Sequence, residues 1–318
     1  MKIYVLLLLL FLSITCEGQQ LPLFTQYREY LGVINPAAVS SDFMIFNHNF
    51  SSSISHRLQW ASFEGAPQTS LIKGEYIYDT ENSVSLLTGG YIINDKIGPT
   101  GNSGIYGRVG GILSPGKNAH ESGIILGLTA GMAQFRIRSS NLELVDPTDD
   151  LTKNNQSKFY PDVGAGVFIY HRIQHGVFRD DNFYAGVSVP QLFGLDLTFT
   201  NDNGSYTVTK VPHFFGLIGF NKFLGESFVE PSLWVRYVEG IPLQIDGNFR
   251  LSWKRSFWVG FGLSTGGNAH IEAGFIIGEE YGDRNLKIGA GYDHSFSTFG
   301  PFAGATYEIN ISYSFETK

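Results

Sequence analysis

From Tyr307 to Phe315 the chain alternates strictly: Tyr307, Ile309, Ile311, Tyr313 and Phe315 are apolar or aromatic, and Glu308, Asn310, Ser312 and Ser314 between them are polar. A β-strand points successive side chains to opposite faces, so this segment carries one greasy face and one polar face. The same period recurs upstream. Ile245, Gly247, Phe249, Leu251 and Trp253 alternate with Asp246, Asn248, Arg250, Ser252 and Lys254. Phe257, Val259, Phe261 and Leu263 alternate with Trp258, Gly260 and Gly262, and Leu286, Ile288, Ala290 and Tyr292 with Lys287, Gly289, Gly291 and Asp293.

Further strand-like runs fall near 43–50, 71–79, 83–93, 103–113, 122–137, 159–172, 182–190, 206–211, 213–222, 227–238 and 268–278. The separators carry turn residues, among them Thr80-Glu81-Asn82, Ser114-Pro115-Gly116-Lys117-Asn118, Asn201-Asp202-Asn203-Gly204 and Gly266-Gly267-Asn268. Together these make 15 candidates, one or two of them assigned to a loop or plug. No helical window competes. An all-β chain with one face of each strand apolar predicts a single antiparallel transmembrane barrel, and bacterial single-chain barrels use even strand numbers, which sets the expectation at about 14. The segment from Ser139 to Lys158, with Asp146-Pro147 and Asp149-Asp150, reads as a long extracellular loop.

Composition sharpens this picture. The chain has 38 Gly, 26 Phe and 16 Tyr, and only 16% charged residues, against about 25% in an average soluble domain. No segment after the first twenty residues holds 18 uncharged apolar residues, so no transmembrane helix is expected there. A soluble secreted β-sandwich would also alternate. The aromatic terminal strand and strands approaching the ~10 residues of a tilted span favour the barrel. A net charge of −7 without a basic stripe argues against a nucleic-acid partner.

The first residues supply the export signal. Lys2 precedes an apolar run from Ile3 to Ile14, which has the length of a signal-peptide core and is too short to cross a bilayer. Cleavage after Gly18 places Cys16 and Gly18 where signal peptidase prefers small residues. The alternative is acylation of Cys16, but Ser13-Ile14-Thr15 is a poor lipobox. Both routes export the chain. The expected organisation is a signal peptide over 1–18, a periplasmic or plug segment over 19–42, and the barrel over 43–318. Cys16 is the sole cysteine, so a mature chain cut after Gly18 has no disulfide and no thiolate chemistry.

A search for catalysis finds no convincing set. Gly262-Leu263-Ser264-Thr265-Gly266 satisfies G-x-S-x-G, but it ends a strand and enters a turn, where a nucleophile elbow needs a helix. His171 and His175 would pair on a helix; in a strand, four residues separate them by about 13 Å. Asp146, Asp149 and Asp150 lack the glycine pivot and terminal Glu of a calcium loop. The chain is therefore not expected to be an enzyme, and neither cofactor nor metal is expected. A diffusion channel for solutes is the alternative function, with Arg250, Lys254, Asp246, Asp293 and Lys287 lining a water path.

The leader differs from the rest. Gln19-Gln20-Leu21-Pro22-Leu23-Phe24-Thr25-Gln26-Tyr27 and Ile34-Asn35-Pro36-Ala37-Ala38 do not alternate. Phe24, Tyr27 and Tyr30 crowd together there, which favours packing inside the lumen over a free lead-in. This leader resembles the start of mature PorP/SprF-family proteins, outer-membrane barrels of type IX secretion and gliding motility. The likeness continues in order through His56-Arg57 with Gln59-Trp60, Phe63-Glu64-Gly65-Ala66-Pro67, Asn94-Asp95, Pro161-Asp162-Val163-Gly164, Tyr184-Ala185-Gly186, Pro231-Ser232-Leu233, Gln244-Ile245-Asp246, Gly291-Tyr292-Asp293 and Tyr307-Glu308-Ile309. Ala37-Ala38-Val39 departs from the family pattern after Asn-Pro, and Glu316-Thr317-Lys318 extends past the final aromatic.

The resemblance implies a barrel in the outer-membrane lipid that assists type IX secretion or surface anchoring of protein cargo such as adhesins. Its implied partners are the secretion machinery and that cargo. The motif residues it marks as interaction candidates are Gln26, Tyr27, Asn35, Pro36, Gln59, Trp60, Pro67, Asp162, Asp246 and Asp293, with Tyr313 and Phe315 as the terminal signal for barrel assembly.

Overall fold

The computed structural model describes residues 24–80, 83–116, 118–138, 155–201, 204–253, 256–278, 283–296, 302 and 304–317. The signal-peptide segment, Cys16, Lys254 and most of the 139–158 loop lie outside them. Fourteen antiparallel strands close into one barrel. Going round the wall they are β1 (Phe50–Leu58), β2 (Gln68–Tyr78), β3 (Val84–Ile97), β4 (Thr100–Leu113), β5 (Ser122–Ile137), β6 (Gln156–Arg172) and β7 (Asn182–Val189). There follow β10 (His213–Leu224), β11 (Ser227–Val238), β12 (Gln244–Trp253), β13 (Phe257–Ser264), β14 (Asn268–Gly278), β15 (Arg284–Ser295) and β16 (Thr306–Phe315). The missing numbers, β8 (Leu195–Asn201) and β9 (Gly204–Lys210), form a separate two-stranded ribbon between β7 and β10. Closure is by β1 on β16, in register from Phe50 opposite Phe315 to Leu58 opposite Tyr307.

The dyad pattern fixes which face is which. Leu126, Leu263 and Phe275 point outward and are 59%, 64% and 67% exposed, whereas Glu75, Arg250 and Glu308 point inward and are 5% exposed or less. This inverts a soluble protein, and lipid is the medium that makes it stable: closure pairs every strand, so the wall leaves no sheet edge in hydrocarbon. The three longest connections, 138–155, 190–212 and 296–305, all leave the end opposite the barrel's two termini, where no connection exceeds the nine residues of 173–181. Such barrels keep short turns on the periplasmic side, so that end is extracellular. The ribbon rises there over the ends of β5 and β6. Lys158 Nζ donates to Thr198 O at 3.0 Å, and Phe199 meets Phe135 at 6.0 Å between ring centroids.

Two expectations are corrected. The run near 43–50 is not a strand: Ser41–Phe46 is a helical turn and a half, and the wall begins at Phe50. Ser40 caps the helix, its Oγ accepting from Phe43 N at 3.3 Å, Asp42 sits in the first turn, and Asn47 ends it in the left-handed region (φ 61°). Nor is the chain without helix: a 3-10 turn over Tyr27–Tyr30 runs into a helical turn over Leu31–Ile34. Local capping and inward packing decided these segments, where an apolar run alone had suggested a strand.

Candidate functional site

Residues 24–49 lie inside the barrel and run from its extracellular half to the periplasmic rim. Their polar groups meet the inward phase of the strands. The Glu308 carboxylate accepts from Thr25 N at 2.8 Å and Gln26 N at 3.0 Å. Arg57 spans Asp293 (2.6 Å) and Glu308 (3.4 Å), and Thr25 Oγ1 donates to Asp293 at 2.8 Å. At the other end His48 Nδ1 meets Ser314 Oγ at 2.9 Å, Asn182 Nδ2 donates to Met44 O at 2.9 Å, and Asn49 exchanges hydrogen bonds with Thr317.

Between these anchors runs a buried relay of alternating charge. Arg28 pairs with Glu230 (2.7 Å) and Glu272 (3.1 Å). Glu272 is also held by Arg250 (2.9 Å), Arg250 reaches Glu29 (3.4 Å), and Lys287 joins Glu29 (3.0 Å) to Asp42 (2.9 Å). Three of the seven groups belong to the inner segment and four to β11, β12, β14 and β15, so the relay staples plug to wall. Burial raises the pKa of the Glu29 carboxyl, but Lys287 and Arg250 outweigh that and hold it down at about 2. A second island joins Arg108 to Glu75 at 2.5 Å. There Glu75 also accepts from Ser40 N and Arg108 donates to Ala38 O. Charges this deep stay ionised only because each has a partner, and stranding one costs about 3–5 kcal/mol.

The Asn35-Pro36-Ala37 turn presses on the opposite wall. Asn35 Oδ1 accepts from Ala37 N at 2.9 Å, its Nδ2 donates to Val167 O at 3.0 Å, and Ser188 Oγ donates to Ile34 O at 2.8 Å. Gly127 and Gly166 make this approach possible. A Cβ on Gly166 would overlap Asn35 Oδ1, and one on Gly127 would overlap the Ala37 backbone.

Above the plug an outer chamber of about 120 Å³ opens toward the extracellular end, floored by Phe24, Thr25, Tyr27, Val33 and Ile34. Tyr91 stacks on Tyr106 (4.6 Å, 18°) on one side, and Tyr27 meets Trp234 edge-on (4.1 Å) on the other. Asp162 accepts from Tyr106 at 3.0 Å, and Asp246 pairs with Arg236 at 2.7 Å.

The sequence candidates therefore separate into three places. Gln26, Tyr27, Asn35 and Pro36 are in the plug, and Asp162, Asp246 and Asp293 face it or the chamber from the wall. Gln59, Trp60 and Pro67 sit together in the outer β1–β2 turn, where Gln59 N donates to Pro67 O at 2.9 Å and Trp60 N to Thr306 Oγ1 at 3.2 Å. Tyr313 and Phe315 lie at the opposite end, with the Phe315 ring tilted against Phe50 (4.7 Å between centroids) across the closing seam. Sequence reasoning did not single out Arg28, Glu29, Glu75, Arg108, Glu230 and Glu272. The available signal was their phase: the four that lie in strands, Glu75, Arg108, Glu230 and Glu272, occupy inward positions, an odd place for charge unless something inside answers it. Ser264 lines the chamber beside Gln244 (2.9 Å), with no histidine bonded to it among the described residues, and His171 and His175 are both exposed.

Residues 17–313 match the sequence model of the type IX secretion system membrane protein family PorP/SprF. The chain belongs to that family. No curated protein matches it. Among solved structures, the CymD monoaromatic hydrocarbon channel is similar over 91% of this chain and 97% of its own, at 9% identity and a TM-score of 0.54. The translocator domain of the autotransporter NalP from Neisseria meningitidis covers 87% of this chain and 92% of its own, at 11% identity and a TM-score of 0.47. At such identities the first likeness speaks for the fold alone. Family and fold together put this PorP/SprF protein in the outer membrane.

Proposed function

We propose that this PorP/SprF protein assists type IX secretion or surface anchoring of protein cargo such as adhesins, acting through protein–protein contacts and not through catalysis. The carrying observation is the stapled plug: a lumen crossed by seven paired charges has no wide water path, so what the barrel offers is its two ends. The long extracellular connections, including the Gln59-Trp60 turn and the 139–158 segment, hold cargo, and the periplasmic turns meet the machinery. Gln26, Tyr27, Asn35 and Pro36 serve by fixing the plug, and Tyr313 and Phe315 by guiding assembly at the periplasmic rim. Deleting the gene is the test. Specific cargo should vanish from the cell surface while small-solute uptake continues; unchanged display in the deletion strain would refute the role.

A further inference from the structure

We propose that the outer chamber is a binding site for an organic cation, a guanidinium or ammonium group. Its lining holds four carboxylates, Asp95, Asp162, Asp246 and Asp293, against two guanidiniums, Arg57 and Arg236, an excess of two negative charges (4 − 2). Both arginines are already engaged, by Asp293 and Asp246. Among the described residues Asp95 and Asp162 are in no ion pair. They take only neutral donors: Thr69 on Asp95 at 2.6 Å, and Tyr106 (3.0 Å) and Gln191 (3.4 Å) on Asp162. Lys210 lies over the rings of Phe135 (5.3 Å) and Tyr160 (5.7 Å) and forms an ion pair with neither aspartate, but its charge acts on both, so the surplus that remains is one negative charge.

A second observation, on the facing wall, points the same way. Asp246 Oδ1, Asn248 Oδ1 and His270 Nε2 are buried without a hydrogen-bond partner among the described residues, and Asn248 is only 7% exposed. Gly262 leaves open the space in which Asn248 Oδ1 and the His270 ring edge converge. Burying the Asp246 and Asn248 oxygens without a donor is unfavourable, and a ligand rich in N–H groups relieves that. The lining also carries the rings of Tyr91 and Tyr106 on one side and Trp234 on the other, and aromatic rings attract a cation electrostatically. About 120 Å³ is room for one side-chain head group, since an engineered cavity of roughly 150 Å³ in another protein holds a benzene. The chemistry fits a basic side chain entering on an extended partner segment, or a free polyamine.

The inference stands apart from the secretion role, because it is read on purified protein and not on cells. The folded barrel in detergent is titrated by calorimetry with N-acetyl-arginine methylamide, its neutral citrulline counterpart, spermidine, and a Gly-Ser-Arg-Ser-Gly peptide. The arginine derivative should bind saturably and at least tenfold more tightly than the citrulline compound. Asp95→Asn with Asp162→Asn should remove that preference in a barrel that still migrates as folded. Asn248→Leu, which leaves every charge in place, should weaken the arginine derivative severalfold. Tighter binding of the peptide than of the amino-acid derivative assigns a protein partner, and tighter binding of spermidine assigns a free polyamine. Equal affinity for the arginine and citrulline compounds, or no saturable binding of either, overturns the proposal on the wild-type protein alone.

Discussion

The two halves of the lumen are built on opposite terms. Toward the periplasm, Arg28, Glu29 and Asp42 of the plug answer Glu230, Glu272, Arg250 and Lys287 of the wall, and the interior is full. Toward the cell surface, Asp95 and Asp162 accept only from neutral donors and share the charge of Lys210 at a distance, Asn248 Oδ1 has no donor among the described residues, and a chamber stays open. Buried polar atoms without a partner occur in both halves, Asn221 and Asn285 among them toward the periplasm, so what separates the halves is the pairing of charge and the open space. The contrast teaches that the sealed half serves stability and that the open half is where recognition can occur.

The largest effect should come from cutting the relay. Arg28→Ala strands Glu230 and Glu272 and should cost about 3–5 kcal/mol, read as a lowered thermal midpoint of the folded band on semi-native gels. Asp246→Asn, which removes one charge-assisted hydrogen bond from a less deeply buried pair, should cost less, about 1–3 kcal/mol. Equal destabilisation by the two would erase the distinction between the halves.

Next in size is the glycine wall. Gly166→Val drives a side chain into Asn35 and should destabilise by about 1–3 kcal/mol, with the plug becoming cleavable by protease. Ala165→Val, one position along and facing lipid, should leave the plug protected. Cleavage at equal rates in the two variants would show that the turn is not seated as described.

Acid should act through Glu29. Its pKa in the folded protein, about 2, lies below the ordinary 4.5, so the stabilisation it brings is complete above pH 4.5 and lost as pH falls toward 2. A Glu29→Gln protein should start less stable and lose less across that window. A wild-type midpoint flat from pH 5 to 2 would contradict this coupling. The smallest effect on stability belongs to Trp60→Ala in the outer turn, within about 0.5 kcal/mol, with cargo display nonetheless reduced at the surface.

How far the fold could be read from the chain depended on phase. β16 was legible because Tyr307 to Phe315 never breaks step, and β5, β11 and β14 were bounded to the residue by their turns. β1 was not, because Ser52 and His56 put polar groups on its lipid face as well as its inner one, which hides the dyad. The helix over Ser41–Phe46 passed for a strand because Phe43, Met44, Ile45 and Phe46 form an unbroken apolar run. β8 was missed because Asp196 and Thr198 alternate over only seven residues in a ribbon that meets no lipid. At the site, Gln26, Tyr27 and Asn35 stood out through the leader's irregular pattern. Their wall partners did not, since Glu230 and Glu272 read as ordinary polar positions until the plug is seen opposite them.

Planar-bilayer recording of the purified protein tests the filled lumen most directly. The wild type should show no stable open steps, and Arg28→Ala with Glu29→Ala, which cuts the plug's two central anchors, should conduct. Steady, large-conductance steps from the wild-type barrel would contradict the account.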